Sequence, residues 1–105
     1  MIVQVINFNL SGVTEAEYRA LCDQLAPTFA AVPGLSAKYW LADSGAGTYG
    51  GVYIWESEAD LESYLASDLF ASVSAHPNLA NISSRVFGVL EGPTAITSTL
   101  RAAGV

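Results

Sequence analysis

His76 is the chain's one histidine, and its unperturbed pKa suits proton transfer near neutrality. It precedes Pro77 at the end of a helical pattern, where a cation would equally well meet the helix dipole. With one Cys, Cys22, and one His, the chain has no Cys/His set for a metal and no internal disulfide; Cys22 reads as core packing. No Ser, His and Asp arrangement can be singled out, and Gly45-Ala46-Gly47 lies between two strands rather than opening a helix, which argues against a nucleotide cofactor. What remains is polar chemistry in apolar surroundings. Asn7 interrupts an apolar strand, where a carboxamide either answers a substrate carbonyl or developing oxyanion or is a satisfied strand amide. Tyr49, Tyr53 and Trp55 alternate along one strand and leave the same face, either lining a flat pocket with a few polar points or filling a core or an interface. Arg85, among apolar neighbours, can pair an acidic group or orient an anionic substrate, and Tyr64 is the polar-tipped member of an apolar helical stripe.

These residues need elements to hold them. Ile2 to Asn9 is rich in β-branched residues and ends at Ser11-Gly12, so it reads as a strand. Thr14 and Glu17 form a capping-box pattern that starts a helix, with Tyr18, Leu21, Cys22, Leu25, Phe29 and Val32 on its buried stripe and Pro27 expected to end or kink it. After Pro33-Gly34, Leu35 to Ala42 predicts a second strand carrying Lys38, Tyr39 and Trp40; Asp43 to Gly47 predicts a turn, and Thr48 to Trp55 a third strand apolar on both faces. Gly50-Gly51 marks a bulge or a place where another group approaches the backbone. Ser57 and Asp60 suggest the cap of one second helix running through Leu61, Tyr64, Leu65, Leu69, Phe70 and Val73, stopped by the segment from Ser74 to Asn78. Ile82 to Leu90 is a fourth strand, and Gly92-Pro93 opens a short helical tail reaching Arg101. The order predicts an α+β domain of the ferredoxin-like βαββαβ kind, one domain over 1–105 with a tail over 93–105, its antiparallel four-stranded sheet carrying both helices on one face.

Composition says what the other face meets. Hydrophobic residues make up 51% and charged residues 13%, against about 25% charged in a typical soluble domain. Every apolar run falls short of the roughly 18 to 20 residues of a membrane span. The surplus apolar surface therefore predicts a homodimer packed sheet to sheet. Net charge −6 argues against nucleic acid and anionic membranes as partners. Met1 to Leu10 lacks the features of a secretory leader, which predicts a cytoplasmic location.

Pro33-Gly34-Leu35, Lys38, Trp40, Gly50-Gly51-Val52-Tyr53, Tyr64-Leu65, and Arg85-Val86-Phe87 with Val89, Glu91 and Pro93 resemble the YdhR-type monooxygenases over nearly the whole chain. The resemblance implies a dimeric α/β barrel with a pocket between sheet and helices in each subunit. In that superfamily some members oxygenate aromatic or polyketide-like substrates without metal or organic cofactor, and others bind or degrade haem. The implied function is a cofactor-independent monooxygenase that takes a small aromatic substrate as its phenolate or enolate, which passes an electron to dioxygen. Asn7 would stabilise the anion, Tyr53, Trp55, Tyr64 and Arg85 would hold the substrate, and His76 or Tyr49 would relay the proton. The haem-degrading relatives use an Asn on strand one, matched by Asn7, a Trp where Tyr64 stands, and a His where Ser74 stands; His76 comes two residues later. The alternatives are an isomerase or cyclase using the same pocket, and a non-catalytic binder of a small ligand, haem included.

Overall fold

The computed structural model describes residues 1–98. Its elements are β1 (Ile2–Leu10), α1 (Glu15–Ala30), β2 (Leu35–Asp43), β3 (Thr48–Trp55), α2 (Glu58–Leu65), α3 (Asp68–Ser74), β4 (Leu79–Gly88) and α4 (Glu91–Thr97). The strands form one sheet in the order β2-β3-β1-β4, every pair antiparallel, so the fold is the ferredoxin-like βαββαβ arrangement with an added helix. The helical tail is seen as α4; its expected reach to Arg101 lies outside the described residues.

Strand register divides the sheet into two unlike faces. Gln4, Ile6 and Phe8 of β1 lie opposite Tyr53, Gly51 and Tyr49 of β3, while Lys38 and Trp40 of β2 lie opposite Tyr53 and Gly51. All of these turn toward the helices, because directly opposed residues share a face. Val3, Val5 and Asn7, with Ile54, Val52 and Gly50 opposite them, occupy the outer face, joined by Tyr39 of β2 and by Arg85 and Phe87 of β4. β3 is thus apolar on both sides, as its residues predict.

The core is a cluster of rings. Trp55 is fully buried and parallel to Tyr53, with ring centres 6.1 Å apart, and Tyr64 of α2 tilts onto both. Trp55 Nε1 donates to Gln4 Oε1 at 3.1 Å, and Gln4 Nε2 donates to Ser84 Oγ at 3.3 Å, so this fully buried amide is satisfied on both ends.

Local signals set most boundaries. Thr14 Oγ1 accepts from the Glu17 backbone N–H and Glu17 Oε1 accepts from the Thr14 N–H, the expected capping box, and Ser57 caps α2 through the Asp60 N–H. Three of the expected elements differ in their boundaries. α1 continues through Pro27 to Ala30: the proline removes one donor, while Phe29, packed edge-on against Trp40 and Tyr53, holds the last turn. The single second helix is two, because the Ser67 hydroxyl accepts from the Phe70 N–H and starts α3 afresh. β4 begins at Leu79 rather than Ile82 and ends at Gly88 rather than Leu90, with a bulge against β1 between Asn7 and Asn9. At that bulge Asn81 adopts a φ of 55°, which asparagine tolerates, and its Nδ2 donates to Asn9 Oδ1 at 2.9 Å.

Gly50 has a φ of 149°, and a Cβ there would lie 1.8 Å from the Ile6 carbonyl oxygen, on the backbone of the neighbouring central strand. Gly50→Ala must therefore push β1 and β3 apart or abandon the register. A loss of about 3 kcal/mol or more, read as a lowered denaturant midpoint, is expected; an unchanged midpoint would show that the strands can separate freely there.

Candidate active site

Between the helix-facing side of the sheet and the layer formed by α1 and α3 lies a cavity of about 160 Å³. α1 supplies Tyr18, Leu21, Cys22, Leu25 and Phe29, the stripe set by its three-and-four spacing. α3 and the turn after it supply Leu69, Ser72, Val73 and His76, and the sheet floor is Phe8, Lys38, Trp40 and Tyr53. Apart from the hydroxyls of Tyr18, Tyr53 and Ser72, the Cys22 thiol and the Trp40 N–H, the polar side chains on this wall are an amine and an imidazole.

The amine belongs to Lys38, the chain's only lysine. Alternation along β2 sends Lys38 and Trp40 beneath the helices and leaves Tyr39, 49% exposed, on the outer face. Lys38 Nζ lies 3.4 Å from the ring centres of both Phe29 and Trp40 and 4.7 Å from that of Tyr53. Its stem passes over Gly51: a Cβ on that glycine would lie 3.1 Å from Lys38 Cε. Among the described residues the ion pairs are Met1 with Glu91 and Arg19 with Glu15, and none involves Lys38. Burial drives the Lys38 pKa down from 10.5 to about 7, against a smaller upward pull from the Cys22 thiol. The ring faces also favour the charged form and offset part of that desolvation. Burial raises the Cys22 thiol and the hydroxyls of Tyr18 and Tyr53, so these three stay protonated at neutral pH.

His76 is oriented by its own turn. Its Nδ1 accepts from the Asn78 backbone N–H at 3.2 Å, which places the proton of the neutral ring on Nε2 and makes Nε2–H the donor left free. A histidine that ligates a metal through Nε2 normally donates from the other nitrogen. The pattern at His76 is the reverse, so this residue does not fit an axial haem ligand. Among the described residues no three His, Cys, Asp or Glu side chains gather closely enough to hold a metal ion.

A family model described as "Putative mono-oxygenase ydhR" matches residues 2–100. The chain belongs to the YdhR family. Among solved structures, this YdhR-family chain is similar to SnoaB, a cofactor-independent oxygenase from Streptomyces nogalater, with 21% identity, a TM-score of 0.68, and coverage of 84% of this chain and 91% of that one. It is similar also to the heme-degrader MhuD from Mycobacterium tuberculosis, with 19% identity, a TM-score of 0.69, and coverage of 86% and 96%. At these identities the likeness shows the shared fold. No curated protein sequence matches significantly.

Of the seven residues singled out from the YdhR-family sequence, the structure brings Tyr53 and His76 to the cavity. Asn7 was expected between sheet and helices, but its register opposite Gly50 and Ser83 turns it to the outer face, where its Nδ2 donates to the Tyr49 carbonyl at 3.4 Å. Arg85 shares that outer face and lays its guanidinium 5.0 Å from the Phe87 ring centre. Tyr49 faces the helices but not the cavity; its hydroxyl donates to Glu15 Oε1 at 2.8 Å, and Ser44 donates to the same carboxylate, pinning α1 to the β2–β3 turn. Those two hydrogen bonds hold the Glu15 carboxyl below its usual range. Trp55 is sealed in the core by Gln4. Tyr64 is buried behind Tyr53, and its hydroxyl makes no hydrogen bond of good geometry, although the Tyr53 hydroxyl is near enough to influence its ionisation. The residues that the sequence reading passed over are Lys38, Trp40, Phe8 and Phe29. Their available signal was parity: a lysine two residues before a tryptophan in a strand flanked by apolar runs shares whichever face that tryptophan takes.

The folded chain holds Lys38 neutral well below 10.5, whereas the unfolded chain keeps it protonated up to that pH. Between about pH 7 and 10.5 the unfolded state thus binds the extra proton, and stability rises with pH. Lys38→Met removes this dependence. At pH 7 the variant should be more stable than the parent by an amount on the order of 1 to 4 kcal/mol, and the gap should close as the pH approaches 10. Denaturant titrations of both proteins across that range check this; a gap independent of pH would place the amine in water.

Proposed function

We propose that this YdhR-family protein is a cofactor-independent monooxygenase for a small phenolic or enolic aromatic. The observation carrying this reading is the cavity itself: ring-walled, mostly apolar, and furnished with an Nε2–H donor at His76. Apolar cavities of about 150 Å³ take benzene-sized molecules, and pockets for drug-sized ligands run from about 300 Å³ upward. A volume of about 160 Å³ accordingly favours a one- or two-ring substrate over a polycyclic one or a macrocycle.

Phe29, Trp40 and Tyr53 hold the ring, and an ionised substrate supplies the electron. The phenolate gives one electron to dioxygen, and the phenoxyl radical and superoxide recombine at a ring carbon. The hydroperoxide then loses water, so that a phenol and O₂ become a quinone and H₂O. His76 donates to the oxygen atom on which charge accumulates. An isomerase or cyclase would use the same ring-binding walls without consuming oxygen.

A second copy of the chain covers the outer face. Val3, Val5 and Val52 lie there, with Tyr39 at 49% and Phe87 at 45% exposure, and no element of the described chain packs on them. Sheet-to-sheet pairing buries this surface and places Asn7 and Arg85 at the interface. Among the described residues no helix is long and apolar enough to cross a membrane; a cytoplasmic setting, reducing for the free Cys22 thiol, completes the proposal.

Oxygen consumption with a panel of one- and two-ring phenols tests the activity. Chelator-treated protein should consume one O₂ per product and place an oxygen atom from ¹⁸O₂ in it, and His76→Ala should lower the rate by about 10² or more. Product formed without oxygen would establish the isomerase reading, and binding with no product would establish a binder. For assembly, sedimentation at micromolar concentration should give a dimer, and Val5→Asp should give monomer; a monomeric parent chain refutes the sheet-to-sheet pairing.

A further inference from the structure

We infer that Lys38 is the proton acceptor of the cavity and that the cavity selects acidic phenols or enols, binding them as anions against the Lys38 ammonium. The inference rests on the aromatic-substrate reading above and adds the base and a preference for the more acidic members of that class.

Elimination comes first. A base in this cavity needs a free lone pair. His76 has its Nδ1 lone pair engaged by the Asn78 N–H and carries its proton on Nε2. Cys22, Tyr18 and Tyr53 keep their protons, since burial disfavours their anions. Asn7 and Arg85 lie on the far side of the sheet, and the Glu15 carboxylate is taken up by Tyr49, Ser44 and Arg19 at the start of α1. Among the described residues no carboxylate lines the cavity. Lys38 is left, an amine with no anionic partner among the described residues, held where burial favours its neutral form.

The geometry also suits the protonated state. Once Lys38 takes the proton, its ammonium sits 3.4 Å from the centres of the Phe29 and Trp40 rings, whose faces are electronegative. The transfer moves the proton from the substrate O–H to Nζ: the nitrogen lone pair forms the new N–H bond and the O–H electrons stay on oxygen. No electrons are exchanged in this step. A neutral acid and a neutral base become an ion pair inside an apolar cavity, and the attraction between them is strong where water is excluded. The chain as a whole, Lys38 counted as a cation, carries net charge −6, so the attraction for the anion is local to Lys38.

p-Nitrophenol, one ring whose colour reports its ionisation, is the probe. Bound to the native protein it should absorb as phenolate at a pH where free probe is neutral, its apparent midpoint lowered by at least about one unit, equivalent to phenolate binding about tenfold tighter than phenol. Lys38→Met should still bind the ring but return the midpoint to that of free probe. Lys38→Arg, which keeps the charge without a usable lone pair, should bind phenolate yet lose oxygen consumption with the phenols of the activity panel. Binding with an unshifted midpoint in the native protein overturns the inference while leaving the aromatic pocket standing. A shift that persists in Lys38→Met also overturns it, assigning the anion to another group. No binding at all overturns both. The native-protein titration needs no variant, so it tests the inference by itself.

Discussion

The direction of nearly every cavity side chain follows from how closely β3 sits between β1 and β2 at Gly50-Gly51. Gly50 lets the Ile6 carbonyl approach to where a Cβ would otherwise stand, and this contact keeps β1 and β3 in the register that opposes Phe8 with Tyr49 and Gln4 with Tyr53. Gly51 opens the surface on the helix side, so that the Lys38 stem and the Tyr53 ring can lie across it. A slip of one residue would send the slipped strand's rings to the outer face and its valines or glycines to the core. The fully buried Gln4 reinforces the register, because its amide can satisfy Trp55 and Ser84 together only where those strands align.

Lys38 runs against the rest of this core. An amine among Phe29, Trp40 and Tyr53 with no carboxylate beside it is a local conflict between burial and charge. Two things moderate it: the amine can shed its proton, and the ring faces attract the charge when the proton stays. Locally unfavourable groups of this kind concentrate at functional sites, where they are compensated elsewhere in the fold. Here the compensation is the aromatic cluster in which Phe29 and Tyr53 of the cavity wall pack with the buried Trp55 and Tyr64. Tyr49 plays the complementary part: with Ser44 it fixes Glu15 at the start of α1, and α1 carries Tyr18, Cys22 and Phe29 over the sheet.

The outer face obeys a different rule. Its residues are mostly apolar, valines and Ile54 with the rings of Tyr39 and Phe87, and Arg85 lies on Phe87 at the edge strand, which suits packing against a flat surface more than enclosing a ligand. One sheet thus presents two unlike faces through its two-residue alternation, with a cavity under the helices and an apolar plane behind it.

By itself the sequence determined the elements and their order: the Thr14–Glu17 capping box, the Ser57 cap and the alternation of β1 and β3 are local signals that survived in the folded chain. It also determined that β3 would be apolar on both sides and that Gly50-Gly51 would admit a close approach. Break points within one period were not legible, since Leu61, Leu65, Leu69 and Val73 keep four-residue spacing across the stop at Ser67, and a hydroxyl cap leaves that pattern unchanged. The cavity was legible only in part, through Tyr53 and His76. Parity showed that Asn7 goes with Val3 and Val5 and Lys38 with Trp40, but which of those faces lies under the helices is set by which side α1 and α3 pack against. That choice is a long-range one, made by rings from four elements closing on Trp55 and Tyr53, and no spacing within a single strand encodes it.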